Sequence, residues 1–336
     1  MARACLEAAQ HVCIAAVDGK EVDMAAEIRR LRELGDEVRL GPSTRSIVEA
    51  ARKRGIPAIR LSNGNLVQLG YGARQRRILA AETDHTSAVG ETVAQDKELT
   101  RSLLRKIGVP VPIGGSPKCA SEAWQIACEL GLPVVVKPRY GSHGRGVATN
   151  LTTQHQVVAA WESIVREGSA VVVEQFIAGG DYRLLVVGNR LVAAARRDPP
   201  MVLGDGVRTV GQLVDAVNAD PRRAEGHAAP LTKIAIDPIA LEVLGEQGFL
   251  LESVPEEGQR VLIRRNGNLS TGGTATDVTA EVHPEVAARA VEAARMVGLD
   301  VAGIDILARD IRRPLEEQGG AVIEVNACPG LRMHLH

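Results

Sequence analysis

Apolar and polar positions alternate with two different periods along this chain, and the switches between them mark its elements. Residues 1–40 carry an alanine-rich, charged pattern with helical spacing, including Met24-Ala-Ala-Glu-Ile-Arg-Arg-Leu-Arg-Glu-Leu. Its alternating charges predict a solvated helix face. Gly41-Pro42-Ser43-Thr44 breaks that pattern and supplies a cap for a helix over 45–54. Ile56 to Leu61 and Val67 to Gly70 predict short strands. A helix is expected at about 94–107, ended by Gly108-Val-Pro-Val-Pro because proline cannot continue it. Another over 120–131 leads into the β-branched run Val134-Val135-Val136, which reads as a buried strand. Beyond it the spacing predicts a helix at 154–167, a strand at 170–177 and a two-strand unit over 183–196 turned at Gly188-Asn189. Residues 200–260 read as irregular, with short helices at 209–218 and 237–246. A long helix at 284–298 precedes strands at 302–308 and 321–326. This alternation predicts an α+β architecture, with a smaller lobe bearing a glycine-rich loop and a larger one bearing the C-terminal strands.

Composition narrows the function classes. A length of 336 residues suggests about two domains. A net charge of −1 and 2% aromatic residues give neither a basic surface nor stacking platforms for nucleic acid. No apolar run approaches the roughly 20 residues of a membrane span, and the N-terminus lacks a signal peptide's apolar core. Cys5, Cys13, Cys119, Cys128 and Cys328 are odd in number and scattered, so they read as free thiols in a reducing cytoplasm.

Candidate chemistry begins where the Val134 strand ends. Lys137-Pro138 is followed by Gly141-Ser142-His143-Gly144-Arg145-Gly146-Val147. Three glycines in six positions let backbone N–H groups approach a polyanion, and a lysine beside them suits phosphate. A strand followed by a plain surface turn would read the same on these residues alone. The loop lacks the Gly-Lys-Ser/Thr ending of a P-loop. Farther on, Asp305 stands inside the apolar strand Ala302 to Leu307, and Glu324 and Asn326 stand two apart, on one face, in Ala321 to Asn326. Carboxylates in such strands are costly unless paired or metal-bound, and hard oxygen donors suit Mg²⁺. Edge-strand residues facing water are the alternative. Between these signals, Glu174-Gln175-Phe176-Ile177 and Asp181 follow a valine run. They fit either a hinge that contacts adenine and ribose or a solvated turn.

The order of these features resembles an ATP-grasp ligase: Lys97 on an early helix, Lys137 at a strand end, a glycine loop, a hinge acid, then Asp…Glu-x-Asn on two late strands. Longer motifs are similar to those of the cyanophycin synthetase family across nearly the whole chain. They include Tyr71-Gly-Ala-Arg-Gln-Arg-Arg-Ile, Thr83-Asp-His-Thr-Ser-Ala, Ala94-Gln-Asp-Lys, Gly204-Asp-Gly, Pro230-Leu-Thr-Lys, Asn268-Leu-Ser-Thr-Gly-Gly-Thr and Asn326-Ala-Cys-Pro-Gly-Leu-Arg-Met-His.

The resemblance implies an ATP-grasp fold, two α+β lobes clasping ATP, over 41–336 after a helical tail of an N-terminal domain at 1–40. It implies subdomains at 41–118, 119–182 for the glycine loop and 183–336, with a lid at about 200–260. The implied chemistry is activation of a poly-aspartate C-terminal carboxylate as an acyl phosphate and attack by aspartate, releasing ADP and phosphate. ATP and Mg²⁺ are the implied cofactors, and a cyanophycin primer and aspartate the implied partners; a homo-oligomer is compatible. The family's arginine-adding, Mur-ligase-like domain is expected beyond this chain, which ends inside a motif that normally continues.

Carried over by position, Lys97 and Lys137 look like the phosphate-binding lysines. Gly141, Gly144 and Gly146 would close over the phosphates, with Ser142 and His143 reaching the transferred phosphoryl. Glu174, Phe176 and Asp181 look like the adenine and ribose contacts. Asp305, Glu324 and Asn326 look like the metal ligands. Arg264 and Asn266, with Ser270, Thr271 and Gly272, would supply a cation, hydroxyls and amides near the acyl phosphate. Ser43, Thr44 and Glu91 are candidates for holding polymer or aspartate, and Arg183 for pairing with an aspartate carboxylate or forming a plain ion pair. Gly226 to Pro230 and Gly90 depart from the family pattern. A glutathione-synthesising ligase and an inactive nucleotide-binding fragment are the other readings.

Overall fold

The computed structural model describes residues 1–141, 146–224 and 231–335, without the side chains of Asp36 and Glu37. It divides into two compact units, 1–81 and 82–336.

In the first unit the helical tract of the N-terminal stretch is two helices, α1 (Ala2–Val17) and α2 (Met24–Val38). The Asp23 carboxylate caps α2 by accepting the Ala26 N–H at 2.9 Å. Helix α3 (Pro42–Lys53) starts at Pro42, three residues earlier than the sequence pattern suggests, because proline suits the first helical position. Strands β1 (Ala58–Arg60), β2 (Leu66–Leu69) and β3 (Arg76–Leu79) form an antiparallel meander. Val48 of α3 and Val67 and Ile78 of the strands bury one another, so residues 42–79 own a core and belong to this unit, not to the one that follows.

The second unit opens with β4 (Glu82–Thr83), α4 (Ala88–Gln95) and α5 (Lys97–Lys106). The expected single helix at 94–107 is split because the Asp96 backbone is extended and its carboxylate accepts the Glu98 and Leu99 N–H groups. Strands β5 (Gly114–Gly115), β6 (Val134–Pro138), β7 (Ala148–Leu151) and β8 (Val171–Gln175), with α6 (Ala120–Leu130) and α7 (Gln154–Arg166), make the smaller lobe. Its antiparallel sheet runs β5-β8-β6-β7. Val134, Val136, Val171 and Val173 pack with Ala123, Ala127, Val157 and Ile164 of the helices.

The larger lobe begins with β9 (Gly180–Val187) and β10 (Arg190–Asp198), turned at the expected Gly188-Asn189. Residues 200–260 are more ordered than their sequence suggests. Strands β11 (Met201–Leu203), β12 (Arg223–Ala224), β13 (Leu231–Thr232) and β14 (Arg260–Leu262) join α8 (Val210–Asn218) and α9 (Pro238–Glu246). They share a core that includes Val202, Val210, Leu213, Ile234, Leu244 and Val261. The chain then returns through β15 (Thr274–Asp277), α10 (Pro284–Val297), β16 (Val301–Ala308), α11 (Leu315–Gln318) and β17 (Ala321–Asn326). The large sheet runs β15-β10-β9-β16-β17, antiparallel throughout, with α10 packed on one face. Among the described residues no helix is long and apolar enough to cross a membrane.

Candidate functional site

Each of the two larger sheets in the second unit turns one face to its helices and leaves the other for chemistry. In β6 and β8 the register pairs Val135 with Glu174 and Lys137 with Val172. Side chains opposite one another share a face. Lys137 and Glu174 therefore project together from the face opposite the Val134 and Val136 core. Both are buried, at 5% and 4% exposure, and the Lys137 ammonium donates to the Glu174 carboxylate. Phe176, half-buried, follows this strand, its N–H donating to the Pro133 carbonyl at 3.3 Å.

In the large sheet Ala302, Ile304, Ile306 and Ala308 of β16 face the helices with Tyr182, Leu184 and Val186 of β9. The opposite face carries Arg183 and Asp305, which are direct cross-strand partners. A bulge at Ile323 in β17 brings Glu324 opposite Asp305 and Asn326 opposite Gly303. Arg183, Asp305 and Glu324 thus form one row across three strands. Arg183 grips Asp305 through Nε and Nη2, the latter at 3.0 Å. Arg197 of β10 adds a second cation, 3.3 Å from Asp305 and hydrogen-bonded to Asp181. Burial alone would raise the Asp305 carboxyl, but the Arg183 and Arg197 guanidinium groups hold it below its ordinary range. Asp181 goes the other way: burial outweighs Arg197, and the Asp305 charge adds to the rise. Glycine is needed at position 303, where a Cβ would sit 3.0 Å from an Arg183 nitrogen and 2.9 Å from the Pro329 Cβ.

Lys97 connects the two sheets. Its ammonium donates to the Gly141 carbonyl at the start of the glycine loop and lies 3.5 Å from Glu324 Oε1. Lys97, Lys137, Glu174 and Glu324 line one cleft. Asp96, the cap of α5, also binds Arg139 at 2.9 and 2.7 Å, tying the start of that helix to the end of β6. The expected loop residues Ser142, His143 and Gly144 lie outside the described residues, as do Gly226 to Pro230. Gly141 and Gly146, which flank the former segment, both take positive φ angles.

Other expected residues have places of their own. Arg264 is buried and paired with Asp237, the N-cap of α9. Asn266, Ser270, Thr271 and Gly272 form one turn, closed by Thr271 Oγ1 donating to Asn266 Oδ1 at 2.9 Å. The Arg223 guanidinium holds that turn to β13 through the Gly272 and Thr232 carbonyls. Glu91 lies in the first turn of α4. Ser43 and Thr44 lie on α3 of the first unit, where the Thr44 hydroxyl donates to the Ala80 carbonyl at 3.2 Å. Arg197 and Arg101 were not anticipated. Arg197 stands between Arg196 and Asp198 at the charged end of its strand, so no local signal sets it apart. Arg101 stands one helical turn after Lys97.

Asp305, Glu324 and Asn326 present oxygen donors on adjacent strands, with the Asn326 amide 3.4 Å from Asp305 Oδ2. That donor chemistry fits Mg²⁺, which takes one or two carboxylates and completes its shell with water and phosphate oxygens.

Comparison with known proteins agrees with this geometry. A RimK-like ATP-grasp domain matches residues 94–200 and 259–335. The chain is 42% identical over 332 residues to a cyanophycin synthetase of Nostoc sp., covering 98% of this chain and 37% of that protein. It is 36% identical over 261 residues to a bifunctional glutathione biosynthesis protein of Mannheimia succiniciproducens, covering 75% and 34%. A crystal structure of a bifunctional glutathione synthetase from Pasteurella multocida superposes with a TM-score of 0.66 at 30% identity, covering 93% of this chain and 43% of that one. The chain thus spans little more than a third of the Nostoc and Mannheimia proteins. Two sheets facing a lysine-lined cleft, and a domain match over most of the second unit, place the chain in the RimK-like ATP-grasp family.

Proposed function

We propose that the chain is the ATP-grasp part of a cyanophycin-type ligase. It would use ATP to activate the C-terminal carboxylate of a poly-aspartate primer as an acyl phosphate and join aspartate to it, releasing ADP and phosphate. The observation that carries this reading is the position of Lys97, between the Gly141 carbonyl and Glu324. One cation there can meet phosphate oxygens held from both sides. Lys97 and Lys137 would neutralise the phosphate charge that otherwise repels an incoming carboxylate. Glu174 and Phe176 stand where β8 leaves the cleft and would meet the adenine, with Asp181 at the ribose. Asp305, Glu324 and Asn326 would hold Mg²⁺, which supplies further charge on the phosphate oxygens. The turn at 266–272 offers hydroxyls and amides to the acyl group. The likeness to cyanophycin synthetase over 98% of the chain supports aspartate and its polymer as substrates.

Glutathione-type chemistry is the second reading, favoured by the fold similarity to the Pasteurella multocida enzyme. ADP release with arginylated aspartate oligomers plus aspartate, against release with cysteine-containing dipeptides plus glycine, separates the two. Glu324→Gln, which removes one charge from the metal-binding strand, should cut turnover by about 10²–10³. Near-normal ADP release in that variant overturns the metal assignment.

A further inference from the structure

Arg101 and Lys137 share one carboxylate. Helix α5 places Arg101 on the cleft that Lys97, Lys137, Glu174 and Glu324 line. Its side chain is buried, with 9% of the residue exposed. Arg101 Nη1 lies 3.7 Å from Glu174 Oε2, beyond hydrogen-bond reach, and has no hydrogen-bond partner among the described residues. The other Glu174 oxygen is taken by Lys137. Gly114 of β5, the cross-strand partner of Glu174, makes room for this arrangement. A Cβ there would sit 2.6 Å from Arg101 Nη1.

A guanidinium does not shed its proton in a protein. The cleft therefore carries three cations, Lys97, Arg101 and Lys137, against two anions, Glu174 and Glu324, an imbalance that an arriving anion would relieve. If Lys137 turns from Glu174 toward phosphate, that carboxylate loses its hydrogen bond, and a buried carboxylate without a partner is costly. The unpaired Nη1 stands ready to fill that vacancy. We infer that Arg101 is a positioning residue which takes over Glu174 when Lys137 turns to the phosphates of a bound nucleotide. The inference rests on the nucleotide reading above. In its absence Lys137 would stay with Glu174 and the phosphates would lose a cation.

Calorimetry of a non-hydrolysable ATP analogue with Mg²⁺, binding to the full chain, tests this. Arg101→Met should weaken binding by about tenfold or more, while Arg101→Lys should cost less than about threefold. In a Glu174→Gln background there is no charged carboxylate to hand over, so adding Arg101→Met should change affinity by less than about threefold. Equal losses in both backgrounds, or no loss in either, overturn the role. If Arg101→Met does not fold, Arg101→Gln carries the same comparison. Failure of both to fold even with Glu174→Gln would show that Arg101 is held for packing, and also overturns it. A wild-type chain that binds no analogue overturns the nucleotide site itself, a separate result.

Discussion

Asp305 and Glu324 stand directly opposite each other on β16 and β17, yet among the described residues only Asp305 is held by arginines. Two like charges opposite one another in a sheet repel. Arg183 and Arg197 neutralise one of them, and Lys97 stands 3.5 Å from the other. The sheet can therefore hold the two carboxylates side by side on one face.

The arginine pair makes Asp305 a structural residue as well as a candidate ligand. Asp305→Asn would leave the half-buried Arg183 and the buried Arg197 with a neutral amide in place of their shared anion. Removing one partner of a buried ion pair costs about 3–5 kcal/mol. Urea unfolding should show a loss toward the lower end of that range, because Arg197 keeps Asp181. A loss below about 1 kcal/mol, typical of a surface pair, would contradict this account.

Gly90 tests a different balance. Alanine in a helix interior normally gains up to about 1 kcal/mol over glycine. At Gly90 a Cβ would stand 2.7 Å from the carbonyl oxygens of Val297 and Gly298. Those oxygens belong to backbone at the end of α10 and cannot rotate away. Gly90→Ala should therefore destabilise, by about 1–3 kcal/mol as for other overpacked contacts. A rise in melting temperature would show that α4 and α10 separate readily.

His334 gives a pH signature. Burial pushes its imidazole down to about 4 from 6.5, with the Arg183 charge acting in the same direction and Asp277 against it. Between those values the unfolded chain binds the proton and the folded chain does not, so stability falls as pH falls from 6.5 toward 4. The side chain is only partly buried, and solvent screening reduces the effect to about 1 kcal/mol at pH 5. His334→Gln lacks this penalty. Its unfolding free energy relative to wild type should rise by that amount between pH 7.5 and 5, and parallel pH curves would refute the shift.

Much of this was legible in the sequence because β-strand alternation and helix breaks are local. Lys137 at a strand end, Glu324 and Asn326 on one face, and the turn at Gly188-Asn189 all follow from spacing alone. The pairing of Glu324 with Asp305 does not, since it depends on the bulge at Ile323, which only the neighbouring strand defines. Residues 200–260 read as irregular because strands such as Arg223–Ala224 and Leu231–Thr232 are two residues long and show no period. Their order comes from a shared core. Arg183 was open to pairing with a substrate carboxylate or with the protein. Its direct neighbour across the sheet is Asp305, a contact 122 residues away in sequence and invisible to local pattern.

Asp96 has a wider effect than its place as a helix cap suggests. The same carboxylate that starts α5 also fixes Arg139 just past β6, so Lys97 and Lys137 each stand within two residues of this joint. The backbones that carry the two lysines are thereby pinned to one point, like two hands of a clock on a single spindle. A displacement of the smaller lobe that leaves this joint intact would carry both attachment points together.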